Sequence, residues 1–447
     1  MSKKKQETTE KIKKKEDKLS MALRKNLQRR KAGKSIKNKK ESEMGELFIG
    51  YMSGTSCDGV DASLVRTDGE SAFTIIANIH IPYSSEFKFD LKKLCSELSS
   101  SLEIEKKLTE FHIEATTQLL KQTKYSNKDI RALGFHGQTI FHKPESQLTW
   151  QIGNPHLLAQ GTEIDVVHDF RRRDISLGGQ GAPLVPIFHK LLMQNQELPV
   201  AVINIGGVAN ITYISEENGI PFPSLNQTNG FQSETAQRIL IREHRRDSQN
   251  SIGSFKLENG IIAFDTGPGN ALIDDAMNKY FNKSYDKNGE IASLGKIDES
   301  VVSEFLADEY FNRPYPKSLD RNSFKYINGM FANHSPEDII ATLTYITCST
   351  IVRAVEILPN IPISIFLCGG GSRNKQIVKW LESALLTKGF NCKIENISTI
   401  GNFNQDYIES QAFAYLAARF FKDLPSAFPT TTAAIRENIC GCLVKRS

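Results

Sequence analysis

Residues 49–65 read Ile-Gly-Tyr-Met-Ser-Gly-Thr-Ser-Cys-Asp-Gly-Val-Asp-Ala-Ser-Leu-Val, a stretch that predicts a β-hairpin with a tip suited to phosphate. The apolar run 47–52 leads into a turn of small residues, and a second run, 60–65, leads out with alternating character. Gly54 and Gly59 tolerate positive φ and admit a ligand close to the backbone, while Ser53, Thr55 and Ser56 offer hydroxyls and amides. Cys57 and Val60 flank two carboxylates, Asp58 and Asp61, which suit a Mg²⁺ ion held through water, Asp58 first. An ordinary Gly/Ser turn with two solvated aspartates has the same composition, so the choice falls to other segments.

Three more glycine-rich segments each follow a predicted strand. Residues 202–212 form a second strand-turn-strand with Gly206 and Gly207 at its tip. Residues 365–374 run from a buried strand into Gly369, Gly370 and Gly371 before a helix from about Lys375, a pattern that permits close backbone approach to a phosphate or a flat ligand. Residues 263–270, Ala-Phe-Asp-Thr-Gly-Pro-Gly-Asn, put Asp265 at the carboxyl end of an apolar strand, where α/β sheets place ligand chemistry. A turn or helix-capping aspartate is the alternative there. No GxxxxGK[ST] and no GxGxxG after a strand occurs, which disfavours P-loop and Rossmann phosphate binding.

The chain of 447 residues, 39% hydrophobic, is long enough for two or three domains with real cores. Its seven cysteines (57, 95, 348, 368, 392, 440 and 442) are odd in number and scattered, with only Cys440 and Cys442 close together, which fits a reduced, cytoplasmic protein. No charged-then-apolar leader and no uncharged apolar run of about 18 residues is present, so neither secretion nor a membrane span is expected. The net charge of +5 is unevenly placed: residues 1–44 carry 17 Lys+Arg against 6 Asp+Glu, a net of +11, leaving −6 for the rest. Leu19, Leu23 and Leu27 recur at helical spacing beside Arg24, Lys25, Arg29, Arg30 and Lys31. The composition favours a disordered solubilising extension (1–45) over a nucleic-acid or anionic-surface contact.

Beyond Met44, short β-like runs alternate with helical stretches, the pattern of an α/β architecture. Strands are expected over 73–81, 131–142, 164–169, 199–214, 260–265 and 363–368. A helix over 104–121 places Ile104, Leu108, Phe111, Ala115 and Leu119 on one face. Another opens at Ser335-Pro336-Glu337-Asp338, and a late one at Asp406 with Glu409 three residues on. Residues 215–259 turn polar and weakly periodic, as a surface insertion would.

The motifs GYMSGTSCDGVDASLV (50–65), GFHGQTIFH (134–142), QIGNPHLLA (151–159), DFRRRDISLGGQGAPLVP (169–186), INIGGVANIT (203–212), FDTGPGNALIDDAM (264–277), LCGGGSRN (367–374) and PTT (429–431), in this order, resemble the anhydro-N-acetylmuramic acid kinase family. The resemblance covers nearly everything from residue 46 onward except the insertion. It implies a two-lobed, actin-like (ribonuclease-H-like) ATPase fold of the actin, hexokinase and heat-shock-chaperone kind, with the active site in the cleft between lobes. Lobe I would span 46–175 plus about 405–447, and lobe II 176–404. The family uses ATP and Mg²⁺ to open the 1,6-anhydro bond of anhydro-N-acetylmuramic acid with water and phosphorylate O6. The products are N-acetylmuramic acid 6-phosphate and ADP, in peptidoglycan recycling and amino-sugar catabolism. The ATP contacts implied are Gly54, Thr55, Ser56, Cys57, Asp58, Gly59, Val60, Asp61, Gly206, Gly207, Gly369, Gly370 and Gly371.

By the same resemblance Asp265 is the general base and the protein a homodimer acting on a small amino sugar. Residues 169–186 form the expected sugar-side wall, with Arg171, Arg172 and Arg173 beside Asp174. One arginine of the three, with Arg171 and Arg173 the candidates put forward, would pair with the lactyl carboxylate of a muramic acid. Asp174 is the second candidate for the base, and His136, Gln138 and Asn270 are further candidates to meet the sugar. Cys57 stands where the family usually has a larger aliphatic residue, and a partly exposed thiol there would make ATP binding oxidation-sensitive. A non-catalytic ATP-dependent clamp of the same superfold would share the glycine loops without needing Asp265 or a sugar wall. A kinase for another amino sugar would keep Asp265 and alter the wall.

Overall fold

The computed structural model describes residues 45–54, 57–97, 102–216, 260–319, 323–401 and 403–447. The basic tail 1–44, Thr55, Ser56 and residues 217–259 of the expected insertion lie outside these described residues.

The opening hairpin forms as its sequence predicts: β1 (Glu46–Ser53) pairs antiparallel with β2 (Gly59–Thr67), which pairs antiparallel with β3 (Phe73–Pro82). β4 (Ile130–Lys143) lies parallel to β1 on the other side, β5 (Leu148–Ile152) folds back on β4, and β6 (Val166–His168) runs parallel to β4. The C-terminal strand Cys442–Val444 closes that edge. A second sheet begins with the meander β7 (Val200–Ile205), β8 (Val208–Ile214) and β9 (Ile261–Pro268), extended in parallel by β10 (Ser364–Cys368) and β11 (Lys393–Asn396). The first sheet runs β3-β2-β1-β4-β6 and the second β9-β8-β7-β10-β11. Each is a three-stranded meander continued from its first strand by two parallel strands, so one topology is used twice. The result is an α/β architecture built on two sheets, as the alternation of strands and helices in the sequence predicts.

The central strands are covered on both faces, which is why they read as continuous apolar runs. Nearly every residue of β7 and β9 is buried. Over the second sheet lies the helix Pro336–Glu356, whose Ser335 hydroxyl accepts the Asp338 N–H at 3.1 Å with Pro336 in the first helical position. Its length and apolarity suffice to cross a membrane, but 78% of its apolar window is packed inside the protein. The helix Ile408–Phe421 covers β1, β2 and β4 of the first sheet and buries Ile408, Ala412, Tyr415 and Leu416, as its spacing predicts. It sits so close to β1 that a Cβ on Gly50 would fall 2.0 Å from the Ser410 carbonyl oxygen. Glycine is required there by proximity. The start of this helix differs from expectation. Asn404, not Asp406, caps a single tight turn Gln405–Tyr407, and Asp406 instead pairs with Arg373. Two adjacent candidate caps are not distinguished by spacing alone.

Candidate active site

The duplicated topology puts two hairpin tips in equivalent places, β1–β2 in one sheet and β7–β8 in the other. At the first tip Cys57 adopts a left-handed backbone (φ 53°) and donates its N–H to the Gly54 carbonyl at 3.0 Å. Gln138, fully buried on β4, donates Nε2 to the same carbonyl at 3.1 Å, and Ser53 Oγ donates to the Gly137 carbonyl at 3.2 Å. Gln138 therefore braces the hairpin from behind. Cys57 is buried, so the exposure on which oxidation sensitivity depended is not met. Gly59 and Val60 are buried at the start of β2, Asp58 is exposed, and half-buried Asp61 pairs with His80 at 2.8 Å. Burial pushes Asp61 up to about 6 against the opposing effect of His80.

At the second sheet three segments meet. The Asn270 N–H donates to the Gly206 carbonyl at 2.7 Å, its Nδ2 donates to the Ile205 carbonyl at 3.1 Å, and the Gly269 N–H donates to the Gly207 carbonyl at 3.0 Å. Gly369, Gly370 and Gly371 close over them: a Cβ on Gly371 would fall 2.3 Å from Ile205 Cγ2. The result is a shallow cradle of backbone, open where Gly206, Gly207 and Gly370 have no side chain. Asn270, expected at the sugar, serves to tie these segments together.

Asp265 lies on β9 beside a bulge. Asn210 pairs with Asp265 but Ala209 pairs with Gly267, so Thr266 is the extra residue, and such bulges re-aim neighbouring side chains. The segment around Lys317 clamps it: Asp265 N–H donates to the Lys317 carbonyl at 2.9 Å, and Tyr310 OH donates to the Asp265 carbonyl at 2.6 Å. The Leu319 N–H donates to Oδ2 at 2.8 Å. Burial pushes the carboxyl up to about 7, opposed by the Leu319 N–H and the charge of Arg171. A carboxylate that changes hands with a proton near neutrality is poised for general-base work.

The three arginines separate completely. Arg171 turns inward, donating Nε to His136 Nε2 at 2.9 Å and Nη1 to the Gly181 carbonyl at 2.6 Å. Burial lowers it to about 10, while Glu409, Cys440, Asp174 and Asp265 favour its charge. Arg172 pairs with Asp169 at 3.6 Å at the surface, and exposed Arg173 donates to the Ile439 carbonyl at 2.9 Å. Arg173 is thus not a partner for the substrate carboxylate in this arrangement, because the short helix Arg172–Ser176 turns it toward the C-terminal segment. Asp174, the second candidate for the base, is also displaced from that role. It is fully buried and accepts from the Gly181 N–H at 2.7 Å, Thr432 Oγ1 at 2.8 Å and Asn438 Nδ2 at 2.9 Å. His136 is likewise spent, with Nδ1 on the Gly137 carbonyl at 2.7 Å and Nε2 on Arg171.

One residue enters the site that the sequence assigned only to a helix start. Glu409, at the beginning of Ile408–Phe421, faces Asp61 and Arg171, and burial raises its carboxyl with Asp61 adding to the effect. Its three-residue offset from Asp406 is also that of a helix-initiating carboxylate. Tyr310, Leu319, Thr432 and Asn438 were equally invisible as site residues, since their parts are played by backbone or by buried supports. Only the PTT motif at 429–431, next to Thr432, pointed there.

A family model described as anhydro-N-acetylmuramic acid kinase matches residues 46–222 and 250–446. A protein of that name from Bradyrhizobium diazoefficiens is 37% identical over 396 residues, covering 86% of this chain and 95% of the relative. Another from Rhodospirillum rubrum is 35% identical over 404 residues, covering 89% and 94%. Among solved structures, component A of (R)-2-hydroxyglutaryl-CoA dehydratase from Acidaminococcus fermentans is similar at 12% identity and TM-score 0.40, over 84% of this chain and 98% of that one.

Proposed function

We propose a reaction from a fixed premise: this chain belongs to the anhydro-N-acetylmuramic acid kinase family and is a kinase. In the proposed reaction Asp265 takes a proton from water as the water oxygen bonds to the anomeric carbon. The bond between that carbon and O6 breaks, O6 bonds to the γ-phosphorus of ATP, and ADP leaves. The products are N-acetylmuramic acid 6-phosphate and ADP, which places the enzyme in the recycling of cell-wall sugars. What supports this reading is the surroundings of Asp265: a carboxyl raised to about 7, fixed on one oxygen by Leu319, within reach of the charge of Arg171. A positioned base of this kind contributes roughly 10²–10⁴-fold.

The glycine cradle at 206–207, 269–271 and 369–371, together with the tip Gly54–Asp61, is the proposed ATP site. Its exposed backbone and small side chains suit polyphosphate. The exposed carboxylate of Asp58 is of the hard-oxygen type that holds Mg²⁺ through water. Bound there, Mg²⁺ would neutralise charge on the transferring phosphoryl group. Arg171 is the proposed partner of the lactyl carboxylate, through the guanidinium edge not used by His136 and Gly181. A homodimer and a cytoplasmic location belong to the same proposal, on family membership.

The test is an incubation with ATP, Mg²⁺ and anhydro-N-acetylmuramic acid in ¹⁸O-water. The label is expected on the anomeric hydroxyl with one ADP per sugar. Absence of sugar-dependent ADP, or label in the phosphate, overturns the proposal.

A further inference from the structure

We propose that His136 is a positioning residue, whose unprotonated Nε2 fixes the Arg171 guanidinium and thereby sets the charge felt by Asp265 and Glu409. The inference rests on Asp265 as the base.

His136 is 4% exposed on β4, and its ring lies 4.7 Å from that of Phe413. Nδ1 is 2.7 Å from the Gly137 carbonyl oxygen, which can only accept, so Nδ1 carries the hydrogen. Nε2 is then the bare nitrogen, and Arg171 Nε–H donates to it at 2.9 Å. A protonated imidazole would present an N–H to that donor, so the contact exists only with a neutral ring. Burial and the charge of Arg171 both hold the imidazole well below its usual range.

A guanidinium is planar, so fixing two of its nitrogens fixes the third. The second anchor is the Gly181 carbonyl, whose own N–H is held by Asp174 at 2.7 Å. Asp174 is in turn held by Thr432 and Asn438. The buried triad of Asp174, Thr432 and Asn438 thus sets one anchor, and His136 sets the other. Nη2 is left without an acceptor among the described residues. The ionisable groups acting on Arg171 are Glu409, Cys440, Asp174 and Asp265, with His136 and His142 also within its influence. Those acting with Asp265 are Arg171 and Tyr310. Arg171 is the one cation among them, and its charge favours the carboxylate form of Asp265.

The experiment compares wild type, His136→Phe, His136→Gln, Arg171→Met and the double variant His136→Phe/Arg171→Met. The measured quantities are sugar-dependent ADP release across pH and ATP affinity by calorimetry. Phenylalanine keeps an aromatic ring against Phe413 and removes the acceptor, while glutamine restores one. His136→Phe is expected to lower kcat about 10–100-fold, as small misplacements of catalytic groups do. ATP affinity is expected to stay unchanged. The acid limb of kcat/KM should move to higher pH by roughly half a unit, because a displaced Arg171 no longer favours ionised Asp265. His136→Gln should recover most of the rate, and the double variant should be no worse than Arg171→Met. An unmoved acid limb, a glutamine variant no better than phenylalanine, or independent multiplication of the two effects overturns the proposal.

One measurement stands apart from turnover. Nitrogen-15 spectra of histidine-labelled full-length protein, assigned with His136→Gln, should show a neutral ring with hydrogen on Nδ1 at every pH from about 6 to 9. A ring that titrates in that range overturns the proposal even if the kinetics agree. Wild type inactive on the sugar, or a fully active Asp265→Asn, defeats the reaction proposed above, and the ring spectrum then decides only whether a neutral His136 holds Arg171.

Discussion

Replacing Asp265 by asparagine removes an ionisable group while keeping an oxygen for the Leu319 N–H, so it separates the cost of the carboxylate from its use. The carboxyl is raised from 3.8 to about 7 in the folded protein, chiefly by burial. Between those two values the folded state binds more protons than the unfolded state, so stability falls as pH rises through the interval and levels off above it. At about 1.4 kcal/mol per pH unit the full penalty above neutrality is about 4 kcal/mol. Because the variant also deprives Arg171 of a counter-charge, about half of that, roughly 2 kcal/mol, should be recovered by Asp265→Asn. For a chain of this size that corresponds to a melting temperature higher than wild type by roughly 2 °C at about pH 8, shrinking toward zero at about pH 4. The assay is a thermal melt of both proteins across this pH range, run beside the sugar-dependent ADP measurement. In wild type, kcat/KM should rise with pH through about 7, and the variant should lose roughly 10²–10⁴-fold in rate with ATP affinity intact. A stability difference that does not change with pH, or a variant with near-full activity, would falsify the link between burial and base strength at this position.

Other perturbations probe the supports. Asp174→Ala leaves the Gly181 N–H, Thr432 and Asn438 without their shared acceptor in a buried place, and should cost about 3 kcal/mol by denaturant melt, with activity falling as Arg171 loses an anchor. Asp174→Asn, which keeps one acceptor, should cost less. Gly371→Ala drives a methyl into Ile205 at 2.3 Å and should weaken ATP binding at least about tenfold by calorimetry while the melting temperature falls only modestly. A thiol reagent should modify exposed Cys442 quickly and buried Cys57 slowly, leaving ATP affinity unchanged in native protein; rapid loss of affinity would contradict the burial of Cys57. Removal of residues 1–44 should leave kcat and KM for both substrates within about twofold, since the net charge of such a basic segment acts at long range and is screened by salt.

How much of this was legible beforehand depended on whether the signal was local. The hairpin at 49–65, the strand leading to Asp265 and the helix opened by Ser335 and Pro336 announce themselves through apolar runs, small residues and capping chemistry, which are properties of neighbours in sequence. The glycine loops were visible because only glycine permits close backbone approach, whatever it is that approaches. The identities of Arg171, Asp174 and His136 were visible too, but their roles were not. Three consecutive arginines have nearly the same chemistry, and only a short helix that turns Arg172 and Arg173 outward leaves Arg171 facing the carboxylates. Asp174 looks like a candidate base until Gly181, Thr432 and Asn438, the last two more than 250 positions away, occupy its oxygens.

By itself the sequence determined the α/β class and the glycine-rich loops, because these are written in residue type and spacing, and its resemblance to a known family put Asp265 forward as the first candidate for the base. Tertiary structure alone decided which polar groups remain available for chemistry. Availability depends on which hydrogen-bonding capacity is already used and how far burial shifts a proton equilibrium, and both are set by residues distant in the chain. Glu409 shows the difference most plainly. In sequence it is a carboxylate three residues into a helix start; in the folded protein that helix lies against the first sheet and brings it to Asp61 and Arg171.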